Sequence, residues 1–102
     1  MLRITTQQET TKLILQLEGD LTGTWAGDFL TVWRERRRSL GGRMLCVDLS
    51  AVGHIDKSGE YALALARSHG SRLTGSGIAT RHLIRTISHE WPCTNSQISK
   101  EA

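Results

Sequence analysis

Residues 43–60 read RMLCVDLSAVGHIDKSGE, and the fold turns on how they are divided. Leu45, Cys46, Val47 and Leu49 make a nearly continuous apolar run without clean alternation, as in a strand covered on both faces. A central strand is therefore expected over 43–50, with AVGHI at 51–55 as a connector. From Asp56 the pattern changes. DKSGEYALALARSHG carries Ala62, Leu63 and Ala66 at helical spacing and stops at Gly70. A strand that hands over to a helix through Asp-x-Ser-Gly puts Ser58 in the first helical turn. Asp56 or Ser58 can cap that helix, because its first amides have no partner within it.

Upstream, LRITT at 2–6 and KLILQLEG at 12–19 alternate apolar and polar residues, and Leu13, Leu15 and Leu17 share one face. These segments predict an antiparallel hairpin. A helix follows from about Thr24 to Arg38, with Trp25, Phe29, Val32 and Trp33 in its apolar stripe and RERRR projecting outward. LGG at 40–42 ends it. Downstream, SRLTGSG reads as a short fourth strand plus a loop. IATRHLIRTISHEW at 78–91 reads as a third helix, with Ile78, His82 or Leu83, and Ile87 on its inner side. The order is β-β-α-β-α-β-α, an α/β chain whose strand-helix-strand units require right-handed crossovers and parallel central strands. One domain is expected over residues 1–90. The polar stretch 91–102 has no apolar period and is expected to be a disordered tail.

The bulk numbers narrow the function classes. A chain of 102 residues with 38% hydrophobic and 23% charged residues has the makings of a soluble globular domain. Its longest apolar run is too short to span a bilayer, and MLRITTQQ lacks the apolar core of a signal peptide. No membrane insertion is expected, and the cytoplasm is the expected compartment. Of the two cysteines, Cys46 lies in the apolar run and Cys93 in the tail, so no disulfide is expected. The net charge of +3 is concentrated in Arg34, Arg36, Arg37 and Arg38. No helix-turn-helix or aromatic-and-basic RNA surface accompanies them. A solvated helix end explains the cluster, and no nucleic-acid partner is expected.

Catalytic signatures are missing from the sequence. GSGIAT at 75–80 joins a strand to a helix without the lysine of a phosphate loop, and reads as a tight turn. His82 and His89 share a helix without a third ligand beside them, so no metal or cofactor is expected. His54, Asp56 and Ser58 stand close in sequence, but no nucleophile-elbow motif surrounds them. The chain is expected not to be an enzyme.

LEGDLTG before one helix and MLCVDLSAVGHIDKSG before another resemble the STAS domain, named for sulfate transporters and anti-sigma-factor antagonists. The resemblance covers roughly residues 2–90. It implies a mixed sheet of four to five strands with helices packed largely on one side. In the antagonist branch, the hydroxyl residue before the glycine is phosphorylated by an anti-sigma factor that is also a serine kinase. By position Ser58 is that phosphorylation candidate, and Asp56, Lys57, Ser58, Gly59, Glu60 and Tyr61 form the partner-binding segment. The chain departs from the antagonists in having Lys57 in place of a second hydroxyl residue, and Gly59-Glu60-Tyr61 where they continue Gly-Leu-Gly. The resemblance thus implies a regulatory docking protein. A second implied role is that of an accessory subunit docking on the ATPase of a bacterial ABC lipid-transport system.

Overall fold

The computed structural model describes residues 1–91. Strands β1 (Leu2–Gln8), β2 (Lys12–Leu21), β3 (Met44–Ile55) and β4 (Arg72–Thr74) form one sheet in the order β1-β2-β3-β4. The first pair is antiparallel and the other two are parallel. Helices α1 (Thr24–Arg38), α2 (Lys57–Ser68) and α3 (Ile78–Glu90) complete the described chain. Alternation in β2 turns Leu13, Leu15, Leu17 and Leu21 towards the helices, where they are buried. From α1, Phe29 and Trp33 meet them, and from α2, Ala62, Leu63 and Ala66. The opposite sheet face carries exposed Arg3, Thr5, Gln7, Glu18 and Arg72.

The structure corrects the division of residues 43–60. AVGHI is no connector: β3 continues through it to Ile55, paired with β2 as far as Leu21. The pairing slips between Gln16 and Glu18 and again between Gly19 and Asp20, with one extra β3 residue at each slip. These bulges break the alternation, so the strand's second half shows no period in the sequence. They also keep Val52 and Ile55 against the core. Nor is β3 covered by helices on both faces. Cys46 pairs in register with Ile14 and Arg72 on the helix-free side and is buried there. The expected position of β3, between β2 and β4, stands.

Other residues differ from expectation at helix margins. Ile78 is the first residue of α3 and is 81% exposed, while Thr80 and Ile87 are the buried residues of that helix. The apolar stripe begins one turn later than the sequence suggests. Trp25 lies at the core edge, 36% exposed, whereas Trp33 is fully enclosed. The indole N–H of Trp33 donates to Ser71 Oγ at 2.8 Å, which satisfies its polar atom. Arg36 is half-buried, while Arg34, Arg37 and Arg38 are exposed. The expected tail, apart from Trp91, lies outside the described residues.

Leu45 is buried in this close-packed layer. Leu45→Ala is expected to lower the unfolding free energy by about 2–5 kcal/mol, through lost transfer energy and the cavity left behind. Urea denaturation of both proteins measures this.

Candidate functional site

The start of α2 is organised by one carboxylate. Asp56 caps the helix, its Oδ1 accepting from the Gly59 amide at 2.9 Å. Its Oδ2 accepts from the Gly23 amide at 3.0 Å, in the turn that starts α1. Gly23 has φ of 50° and provides no side-chain cap of its own. The aspartate therefore joins two strand-to-helix turns that are far apart in sequence. The amides of Gly59 and then Gly23 hold the Asp56 carboxyl below its usual range. Gly59 is buried, and a Cβ there would overlap the carbonyl oxygen of Leu21 and press on the side chain of Ile55. Only a glycine lets α2 approach β2 this closely.

The neighbouring residues fasten α3 to α2. Lys57 Nζ donates to Glu90 Oε1 at 2.7 Å and to Glu60 Oε1 at 3.4 Å. Glu90 is the main cause of the raised Lys57 pKa, and Lys57 in turn lowers that of Glu90. The indole N–H of Trp91 reaches Glu60 Oε1 at 3.5 Å, and its ring meets Tyr61 edge-on at 5.7 Å.

The six residues of the candidate segment therefore occupy different settings. Asp56 and Gly59 are bound into the junction. Lys57 and Glu60 are engaged with the end of α3. Ser58 is exposed on the first turn of α2, and Tyr61 is 50% exposed on the next. An open groove runs beside them, lined also by Gly23, Ala26, Gly27, Leu30 and Trp91. Sequence reasoning missed this α1 side of the groove. The signal was available in Gly23, Ala26 and Gly27, small residues spaced to share one helix face.

The polar contacts along β3 are structural. Asp48 accepts from the amide and hydroxyl of Ser50, and Ser50 Oγ accepts from the Ser76 amide at 2.9 Å. Gly75, at φ of 151°, packs against Ser50 and Thr80, so the GSGIAT segment is a tight turn anchored to β3. His54 is exposed and pairs with Asp20 at 3.0 Å. Among the described residues there is no group of three or more His, Cys, Asp or Glu side chains placed to hold a metal ion. No described helix is long and apolar enough to cross a membrane.

No protein-family model matches the chain, and no curated protein matches it in sequence. Solved structures do match. The anti-sigma factor antagonist SpoIIAA, in its unphosphorylated form, superposes with a TM-score of 0.58 at 13% identity, covering 81% of this chain and 82% of its own. The chain has a STAS-like fold. A Shewanella loihica PV-4 protein described as having a SpoIIAA-like fold matches at TM-score 0.56 and 14% identity, over 89% of this chain and 80% of its own. Mglu matches at TM-score 0.57 and 22% identity over 72% of this chain, which spans only 19% of the Mglu chain. At such identities the likeness concerns the fold. It agrees with the four-stranded mixed sheet described above.

Two outcomes test the Asp56 junction. A carboxyl with a lowered folded-state pKa adds stability above its ordinary value, about 3.9, and loses that contribution as pH falls through this value and the lowered one. Asp56→Asn should therefore lose less stability than the wild type between about pH 7 and about pH 3. Denaturant midpoints at the two pH values provide the comparison, and equal acid losses would refute the junction's role. Gly59→Ala should destabilise the fold at both pH values, because relieving its backbone overlap moves α2 away from β2.

Proposed function

We propose that this chain is a non-enzymatic regulatory docking module that works as an anti-sigma factor antagonist does. It binds an anti-sigma factor with serine kinase activity in the cytoplasm through the surface around Ser58, and phosphorylation of Ser58 releases it. The observation that carries this reading is the position of Ser58: exposed on the first turn of α2, at an open groove lined by Ala26, Leu30, Tyr61 and Trp91. The likeness to SpoIIAA supports the same direction.

The electrostatics suit such a switch. A phosphate on Ser58 would stand at the positive end of α2, so the fold tolerates it. It would also stand beside the Asp56 carboxylate, while the nearest cation, Lys57, is already engaged by Glu90 and Glu60. The added charge would remain largely unneutralised at the groove. A partner covering Tyr61 and Leu30 would have to desolvate it, which disfavours dry contact.

The test combines phosphorylation with affinity. Incubation with the cognate anti-sigma kinase and ATP should place one phosphate on Ser58, read by mass spectrometry, and none on Ser58→Ala. Ser58→Asp should weaken kinase binding by about tenfold or more while the thermal midpoint stays near wild type. Tyr61→Ala should weaken it as well. Undiminished binding by Ser58→Asp would end the switch reading. Binding to an ABC ATPase instead of the kinase would move the chain to the accessory-subunit role.

A further inference from the structure

We propose that the far end of α2 carries a second site, an anion-binding groove for a ligand with two adjacent phosphate groups. The groove has a volume of about 560 Å³ and is lined by Trp33, Arg34, Arg37, Arg38, Leu65 and His69. Small-ligand sites typically enclose ~300–1,000 Å³. It lies between the C-terminal halves of α1 and α2, and the helix from Ser58 to His69 spans about 16 Å. The two sites are thus separate, and this one does not depend on the docking reading.

The charges in the groove are one-sided. Arg34, Arg37 and Arg38 are three and four residues apart and share one side of α1. Glu35, the acidic residue of that run, stands three residues before Arg38 but does not line the groove. None of the lining residues is acidic. Ion pairs join Arg3 to Glu18, Lys57 to Glu60 and Glu90, and Asp20 to His54 and the amino terminus. None of these pairs engages the three arginines. Cations at a helix C-terminus do complement its dipole, which amounts to about half a charge. Three guanidiniums gathered opposite a histidine exceed that need.

Trp33 holds part of this array in place. The ring is 2% exposed and anchored through its N–H to Ser71 Oγ. The Arg37 guanidinium lies 5.0 Å over its face, and His69 meets it edge-on at 5.7 Å. Two of the cationic or protonatable groups are therefore positioned before any ligand arrives, which reduces the entropy lost on binding. Guanidinium forks match phosphate oxygens in pairs, and three of them suit a diphosphate better than a single anion. Because Trp33 is enclosed and already stacked, it provides no platform for a nucleobase, so the groove recognises the phosphates. A phosphorylated lipid headgroup and a soluble diphosphate share this chemistry.

Calorimetric titration with inorganic pyrophosphate, against sulfate at matched ionic strength, tests the site. Pyrophosphate should bind saturably at one site per chain. Arg34→Gln and Arg38→Gln together should weaken it by about tenfold or more. Both side chains are exposed, so circular dichroism and the thermal midpoint should match the wild type. Arg37→Lys keeps the charge but loses the fork, and should also weaken binding. Vesicles containing phosphatidylinositol bisphosphate form a second arm: retention lost in the double variant assigns a lipid headgroup, and pyrophosphate binding without retention assigns a soluble ligand. The proposal is overturned if pyrophosphate behaves as sulfate does, or if the double variant binds it as tightly as wild type. It is equally overturned if a single-stranded oligonucleotide binds through these arginines while pyrophosphate does not.

Discussion

The two amides that meet on the Asp56 carboxylate are the constraint from which the upper half of the molecule follows. One comes from Gly59 and closes the cap of α2; the other comes from Gly23 and sets the start of α1. Both helices thereby leave the sheet from a shared point at the ends of β2 and β3. The close approach of Gly59 to Leu21 then brings α2 down on the sheet, where Ala62, Leu63 and Ala66 complete the core. A polar contact between two turns sets the direction, and apolar burial along the helices supplies most of the stability.

That arrangement separates the two ends of α2 chemically. At its start, small residues of α1 leave a groove beside Ser58 and Tyr61, and the charges nearby are already paired with α3. At its end, arginines from α1 gather round an enclosed tryptophan beside His69. The first surface is the one proposed to contact another protein. The second is the one proposed to hold a compact anion. The modest net charge conceals this polarity, because composition averages over both ends.

Much of the fold was legible in the residues. The alternation of Leu13, Leu15 and Leu17 located the hairpin, and Gly70, at φ of 95°, ends the second helical segment as its position suggested. The resemblance implied helices on one side of a mixed sheet. The error at residues 51–55 has a physical cause: bulges remove the period by which a strand is recognised, leaving a segment that reads as loop. Ile78 misled because an apolar residue at a helix start can precede the buried stripe. At the candidate site, Asp56 and Ser58 were both legible as caps from their place at the helix start, and Asp56 is the one that caps it. Its second bond, to Gly23, was not, because nothing local records a contact between residues 33 positions apart. Nor did sequence spacing reveal that Lys57 and Glu60 are taken up by Glu90 and Trp91.

The two slips in β3 also determine how the segment tolerates changes of length. Between Leu49 and Asp56 the chain resembles a permissive surface loop, with glycine, alanine and exposed positions. It is nevertheless a metered spacer. Each slip takes up one extra residue and leaves the pairing beyond it unchanged, so a single deletion can be absorbed by closing a bulge, whereas an insertion needs a third bulge or turns Val52 or Ile55 to water. Exchanges of side chain on the exposed positions leave that count intact. Insertions do not, and a register error here would uncouple both helices from the sheet at once.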